Sequence, residues 1–208
     1  NGGIMQFPDG VYLFYVESQH DEDYDNFSDE LSKIGVPSVA LSRPEPGFYA
    51  CNEWLIPTTI VAGISAGFLS EVGKDLYQLI KNKMSGLCVK TMRKPRIEPV
   101  FAGTEGKISS NNPYSSAFSI YSDADLGRRF KLLVPKFSIE VDYNKIVHAY
   151  LDFLKDYNDG LVSEKDIGLD LEIVVVSSTI LVHFNDVTQQ IEWLDHLPSH
   201  VREGMQVV

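Results

Sequence analysis

Cysteine is scarce in this chain: Cys51 and Cys88 are its only two among 208 residues. Two cysteines cannot build a disulfide framework, and neither stands at the spacing from histidines that is typical of zinc sites. We therefore predict no metal site, and we expect a reducing compartment such as the cytoplasm. A chain of this length can bury a full apolar core without cross-links or metal ions.

Long apolar segments are also missing. The uncharged stretch 55–69 has fifteen residues and contains Pro57. A bilayer span needs roughly 20 apolar residues, so this stretch is too short and membrane partners are unlikely by this criterion. The stretch is instead predicted to be the buried front half of a long helix.

Basic residues are rare in the first third of the chain. Residues 1–73 hold 2 basic and 11 acidic side chains, residues 74–107 hold 8 and 3, and residues 108–208 hold 8 and 15, which gives the net charge of −11. An acidic molecule of this kind repels nucleic acids and anionic membranes at long range. Only the middle of the chain can attract them locally.

The segment 81–96 contains no acidic residue and carries Lys90, Arg93, Lys94 and Arg96. Four interpretations stay open. The segment is an ordinary solvated surface, it docks onto an acidic protein partner, it docks onto the acidic N-terminal region of the same chain, or it binds a phosphate backbone through counterion release. Nucleic acid is the less favoured partner, because the net charge opposes it and no aromatic side chains are interleaved here.

The first forty residues predict a β-α-β unit. The run VYLFYV at 11–16 is apolar on both faces, which is typical of a covered central strand. A helix over 25–34 is predicted from the spacing of Phe27, Leu31 and Ile34, with Gly35 as its stop. A second strand over 36–41 should lie parallel to the first.

A long helix near 57–84 is predicted next, with Pro57 in its first turn and Gly86 near its end. Gly63 and Gly67 would lie on one face of that helix, where small residues allow another element to approach closely. This face is a candidate surface for packing within the chain or for self-association. A further strand is expected over 87–92.

The remaining chain predicts a second α/β half. Residues 93–113 indicate a loop or linker, and 114–121 with 128–135 indicate a β-hairpin. An apolar stripe predicts a helix over 143–157 with Asp142 as its cap, followed by β structure over 169–184 and a last helix over 187–196. The whole is expected to be an α/β fold with a mainly parallel sheet and flanking helices, in which 1–92 and 114–208 pack as one domain.

The turn after the first strand carries the residues that a site would need. In parallel α/β sheets ligands bind beyond the carboxyl ends of the strands, and Glu17 and His20 follow such an end. Carboxylates in this turn would repel phosphate and would suit a divalent cation better. The alternative is a solvated acidic loop that favours the start of the next helix.

The opening VYLFYVESQHDEDYDNFSDELSKIGVPSVAL resembles that of Toll/interleukin-receptor (TIR) domains, which begin with an apolar strand, an acidic turn, a helix and a second strand. The resemblance covers about 35 residues. NAD-cleaving members use a glutamate near Trp or Cys, and Glu53 stands between Cys51 and Trp54, although their spacing departs from the family pattern. The resemblance implies Glu17, His20 and Glu53 as candidate catalytic residues of a nucleotide-cleaving enzyme.

No catalytic constellation or cofactor fingerprint stands out in the sequence, and charge is strongly segregated along it. We therefore expect a non-enzymatic protein-interaction or regulatory domain without a cofactor, with a protein partner or self-association. The candidate interaction residues are Gly63, Gly67, Lys90, Arg93, Lys94 and Arg96. A TIR-like enzyme and a nucleic-acid-binding protein remain the alternatives.

Overall fold

The computed structural model describes residues 9–43, 60–65, 67–94, 113–169 and 179–195. The first half of this described chain forms β1 (Val11–Val16), α1 (Glu22–Lys33), β2 (Ser38–Arg43), β3 (Ile60–Ile64), α2 (Phe68–Glu71) and α3 (Lys74–Arg93). The second half forms β4 (Tyr114–Asp123), β5 (Arg129–Pro135), α4 (Tyr143–Asn158), β6 (Thr179–Asn185) and β7 (Gln190–Trp193).

The described strands form one mixed sheet in the order β2-β1-β3-β4-β5-β6-β7. The pairs β1/β2, β3/β4 and β5/β6 are parallel, and the other three pairs are antiparallel. The α/β class is confirmed, and parallel pairs prevail in the first half of the sheet. Because β3 pairs with β4, the sheet runs across the two halves that the sequence distinguishes.

The β-α-β unit at the start of the chain is confirmed. Helix α1 begins at Glu22, three residues before the predicted position, because the Asp21 side chain caps it by accepting a hydrogen bond from the Asp23 N–H at 3.0 Å. Phe27 and Leu31 are buried as their spacing predicts. Gly35 has a φ of +85°, a conformation that glycine adopts readily and that ends the helix.

The long helix predicted near 57–84 is wrong. Residues 60–64 form the buried strand β3, and α3 begins only at Lys74. A short apolar run suits a buried strand as well as a buried helix, and periodicity alone does not separate the two. Gly67 adopts a φ of +75° before the short helix α2, so the chain turns where the sequence predicted a continuous helix.

The strand predicted over 87–92 is also wrong, because these residues form the last turns of α3. Ile80, Met84, Leu87 and Cys88 recur at helical spacing, and all four are buried. The sequence pattern placed the end of the helix at Gly86, but this glycine lies inside α3. Burial of one helical face therefore outweighs the low helix propensity of a single glycine.

In the second half of the chain, the structure agrees more closely with the elements predicted from the sequence. The hairpin of β4 and β5 is confirmed, and so is α4, whose Asp142 cap accepts a hydrogen bond from the Lys145 N–H at 3.1 Å. The last helix predicted over 187–196 is wrong: Asn185 accepts hydrogen bonds from the Val187 and Thr188 N–H groups and forms a tight turn into β7. Of the β structure predicted over 169–184, residues 170–178 lie outside the described chain.

Helices α1, α3 and α4 pack against one face of the sheet, with α3 in contact with both others. On the face that these helices cover, a row of paired residues runs across the strands and forms the centre of the core: Leu13, Ala62, Ile120, Leu132 and Val182. Tyr12, Tyr121 and Lys131 alternate with this row and point to the other face, where the Lys131 ammonium lies 5.4 Å from the centre of the Tyr121 ring.

Candidate functional site

Strands β1, β2, β5 and β6 run in the same direction, so their carboxyl ends lie along one edge of the sheet. We call this the carboxyl edge. It carries the turn 17–20 after β1, the loop 136–142 after β5 and the turn 186–189 after β6. Ligands of open α/β sheets bind at such an edge, which makes it the first place to look for a site.

Glu17 and His20 lie on the carboxyl edge, as predicted. Glu17 is exposed at the start of a single 3-10 turn. The Nε2 atom of His20 lies 2.9 Å from Oδ2 of Asp25, and its ring packs beside Tyr15 with 5.3 Å between the ring centres. The third candidate, Glu53, lies outside the described residues, as do Cys51 and Trp54.

Two lysines from the end of α3 reach the acidic turn. Lys94 Nζ lies 2.5 Å from an oxygen of Asp21 and 2.7 Å from one of Asp23, and Lys90 Nζ lies 3.0 Å from the other oxygen of Asp23. We call these four residues the lysine clasp. Hydrogen bonds from Lys94 and then Lys90 lower the pKa of Asp23. Burial acts to raise the pKa of Asp21, but hydrogen bonds from Lys94 and the Asp23 N–H outweigh it and lower that pKa as well.

The clasp continues along the two helices. Lys83 Nζ lies 2.6 Å from Glu30, and this pair is further from the carboxyl edge than the clasp. The pairing shows that α1 and α3 run antiparallel, with acidic side chains on α1 facing basic side chains on α3. This is the docking onto the acidic N-terminal region that the sequence left open. Among the candidate interaction residues, Arg93 is exposed, and Arg96 lies outside the described chain.

The clasp also changes what the acidic turn can bind. Its two central carboxylates already have ammonium partners, which occupy the positions that a divalent cation would need. Within the described ranges, no three His, Cys, Asp or Glu side chains gather closely enough to hold a metal ion.

Gly63 and Gly67 do not share a helix face, which corrects the surface predicted for them. Gly63 lies inside β3, where a Cβ atom would stand 3.7 Å from the Phe14 ring and 3.9 Å from Tyr12. Gly67 precedes α2 in the left-handed conformation. A Cβ atom at position 63 would make only ordinary van der Waals contacts, so the strand does not require glycine there, whereas Gly67 serves a turn of the chain.

Large apolar side chains are exposed at the other end of the carboxyl edge. Phe137 is 56% exposed, Ile139 95% and Val187 91%. Phe137 and Ile139 lie in the loop after β5 and Val187 lies in the turn after β6, and because β5 and β6 are neighbouring parallel strands, both segments leave the sheet at the same part of the carboxyl edge. We call these three residues the apolar turns.

Hydrogen bonds fix the backbone beneath these side chains. The Tyr143 hydroxyl donates to the carbonyl of Lys136 at 3.0 Å and accepts from the Ser138 N–H at 3.1 Å. In the second turn, Asn185 Oδ1 accepts from the Val187 N–H at 2.8 Å. The apolar turns therefore present their side chains from ordered backbone.

Sequence reasoning missed the apolar turns because it placed Val187 in a helix over 187–196 and assigned no role to 136–142. A signal was available. Phe137 and Ile139 stand in a short polar segment between Pro135 and the helix cap Asp142. Such a segment has no regular structure in which to bury two large apolar residues.

A buried polar cluster joins α3 to α4 below the edge. Lys81 is buried, and its Nζ lies 2.7 Å and 2.8 Å from the two carboxylate oxygens of Asp152. The Tyr77 hydroxyl donates to the same carboxylate at 2.6 Å. Burial and then Asp152 raise the pKa of Tyr77 well above its usual value, so this phenol is a poor acid. The cluster suits a structural contact between the helices better than proton transfer.

No family model, curated protein or solved structure matches the chain. The resemblance to TIR domains therefore rests on the sequence pattern alone. No helix in the described part of the chain combines the length and the apolar character that crossing a membrane requires.

Proposed function

We propose that this chain is a non-enzymatic protein-interaction or regulatory domain that docks onto another protein through the apolar turns. The observation that carries the proposal is the exposure of Phe137, Ile139 and Val187 on hydrogen-bonded backbone. Exposed apolar groups that lie together mark binding surfaces more often than isolated ones do. Ordered backbone lowers the entropy cost of binding, which favours such a surface further.

The charges around the apolar turns indicate the kind of groove they fit. Glu140, Asp186 and Lys136 are exposed within the same two turns, so the acidic groups outnumber the basic one. An apolar groove with a basic rim would match both features, and the charges would favour correct orientation and faster association. The same carboxylates oppose insertion into an anionic membrane.

The enzyme alternative has weaker support. Glu17 and His20 share the carboxyl edge, but the described partner of His20 is the half-exposed Asp25. A general base must be positioned close to the proton that it removes. An exposed side chain is less well positioned, because solvent competes for its hydrogen bonds. Glu53→Gln tests this alternative directly, because a TIR-like NAD-cleaving activity should be lost with that carboxylate.

The test of the proposed function compares two double variants. Phe137→Ser with Ile139→Asp disrupts the apolar turns, and Leu126→Ser with Leu161→Asp serves as the control, since both leucines are exposed but lie away from the carboxyl edge. Partners are captured from cells that produce the protein, identified, purified and titrated by isothermal calorimetry. We expect the first variant to weaken binding by at least about tenfold, as for loss of central apolar contacts.

Equal affinity of the wild type and the first variant for every reconstituted partner would refute docking through the apolar turns. Light scattering on the free protein measures its oligomeric state and so tests whether the apolar turns bind a second copy of the chain. A dimer that the first variant dissociates would identify a second copy as the occupant and would contradict the proposed groove on another protein.

A further inference from the structure

Strand β2 lies at one end of the described sheet, with β1 beside it. Burial alternates along β2, and Val39 and Leu41 are 39% and 36% exposed. Both side chains point to the face opposite α1, because Ser38, Ala40 and Ser42 alternate with them and α1 packs on that side. An edge strand with exposed apolar side chains is a template for a further strand.

The acidic stripe of α1 flanks the same edge. Asp25, Asp29 and Ser32 are spaced four and three residues apart, so they share one side of the helix. Ser32 Oγ donates to the carbonyl of Ser38 at 3.3 Å, which places this side of the helix next to β2. The residues that face α3, Asp23 and Glu30, lie on a different side of α1.

We propose that the edge of β2 binds an extended segment of a partner protein in which apolar and basic residues alternate. Added to β2, such a segment directs every second side chain toward Val39 and Leu41 and the others toward Asp25 and Asp29. Main-chain hydrogen bonds to β2 supply affinity. Both carboxylates are exposed, and Asp25, whose Oδ2 already lies 2.9 Å from His20 Nε2, acts with Asp29 to select lysine or arginine at alternate positions.

A second copy of this chain fits the edge less well. Pairing β2 with its own copy about a two-fold axis normal to the sheet brings the two α1 helices together on one face. Their facing sides would both carry Asp25 and Asp29, and like charges at close range disfavour that contact. The charge of the stripe therefore favours a basic partner.

This inference shares with the proposed function only the premise that the chain binds other proteins. Strand β2 and the apolar turns are separate surfaces, because β1, β3 and β4 lie between β2 and the strands β5 and β6 that precede the apolar turns. A variant of one surface leaves the other in place, so the two proposals fail independently.

The probe is a capped eight-residue peptide that alternates lysine and valine, added to the ¹⁵N-labelled protein. We expect shifts of the backbone amides of 38–42 that saturate with peptide. Asp25→Asn with Asp29→Asn should weaken this binding by on the order of five- to tenfold, since two charge contacts are lost. The matched control is Glu140→Gln with Asp186→Asn, which should leave the affinity unchanged.

Three results would overturn the proposal. A peptide with glutamate in place of lysine could bind equally well, which would remove the charge selection. The lysine peptide could shift amides elsewhere or none at all. Finally, the amides of 38–42 could all exchange with solvent as slowly as those of β5 in the free protein, which would show that the chain itself already covers this edge.

Discussion

Leu126 occupies a backbone conformation that suits a smaller residue. It has a φ of 60° and a ψ of 30° between β4 and β5, and its side chain is 91% exposed. The left-handed conformation costs an L-residue about 1–2 kcal/mol, and an exposed leucine recovers little of this by packing. The tip of the hairpin therefore retains strain at this single position.

Replacing Leu126 by glycine should raise the free energy of unfolding by about 0.5 kcal/mol, because relief of the strain exceeds the added freedom of the unfolded chain. Urea denaturation followed by circular dichroism measures the change. Leu161→Gly is the control, since Leu161 is also exposed but has no positive φ. A loss of stability in Leu126→Gly comparable to that of the control would contradict the prediction.

Single residues were predictable where one residue type performs a local task. Asp142 was recognised as a helix cap and Gly35 as a helix stop, and the structure confirms both. Asn185 accepts hydrogen bonds from the following N–H groups as a helix cap would, but it closes a hairpin turn. The same side-chain geometry serves both purposes, so the residue alone could not decide between them.

The lysine clasp holds one element, α1, against another, α3. Its four side chains are partly exposed, so the ion pairs are screened and each contributes little. The pKa of Asp23 is lowered in the folded protein, so the unfolded chain binds protons more readily. The contribution of the clasp is complete above the ordinary aspartate pKa of about 4 and is lost as the pH falls through the lower folded value.

Lys90→Gln with Lys94→Gln should lower the free energy of unfolding by about 1 kcal/mol at pH 7 and low salt. The difference from the wild type should shrink toward pH 3 and at about 1 M salt, where the ion pairs are screened. Denaturant titrations at pH 7, 5 and 3 measure it. Arg93→Gln is the matched control, because Arg93 is exposed on the same helical turn and should not change stability. A difference that persists at pH 3 would show that packing, and not charge, causes the effect.

Elements were predictable where periodicity and length agreed. The stripe over 143–157 could only be a helix, and α4 is one. The stretch 55–69 was short, apolar and free of charge, and it suited either structure. Tertiary pairing with β1 and β4 makes its described part 60–64 a strand. The strand predicted over 87–92 failed for a related reason, since the buried face of α3 extends past Gly86.

The charge of the whole molecule sets its behaviour toward nucleic acids. The net charge is −11, and Lys83, Lys90 and Lys94 each have a carboxylate within 3.0 Å. Few cations of the basic segment are left to displace counterions from a phosphate backbone. Within the described residues, these three lysines of the basic segment pair with carboxylates of the acidic N-terminal region of the same chain.

We expect no binding to single-stranded DNA or double-stranded RNA of about 30 nucleotides near 0.15 M salt, where long-range attraction is screened. Fluorescence anisotropy with labelled strands measures this. The Asp21→Asn and Asp23→Asn double variant removes the carboxylate partners of the two clasp lysines. Its affinity for the same strands shows whether these lysines bind nucleic acid once they are unpaired. Binding by the wild type that Lys90→Glu abolishes would establish the nucleic-acid alternative.

The candidate site could not be predicted from the sequence at the scale of the whole molecule. Positions 137 and 187 stand fifty residues apart in the chain, and only the parallel pairing of β5 with β6 brings the segments that follow these strands to the same edge of the sheet. Charge segregation was visible, but its cause was not, because the pairing of α1 with α3 depends on how both helices lie on the sheet. Sites assembled from distant residues carry little local signal.

The order β2-β1-β3-β4-β5-β6-β7 also bears on how the chain is synthesised. Once β1 and β2 have paired, β3 adds at the free side of β1, and each later described strand adds beside the one made just before it, at the same growing side of the sheet. No described strand has to enter between two that have already formed. The ribosome synthesises the chain from its N-terminus, so each strand can pair with the sheet as it is made. At any time during synthesis, only the most recently added strand lacks its next neighbour.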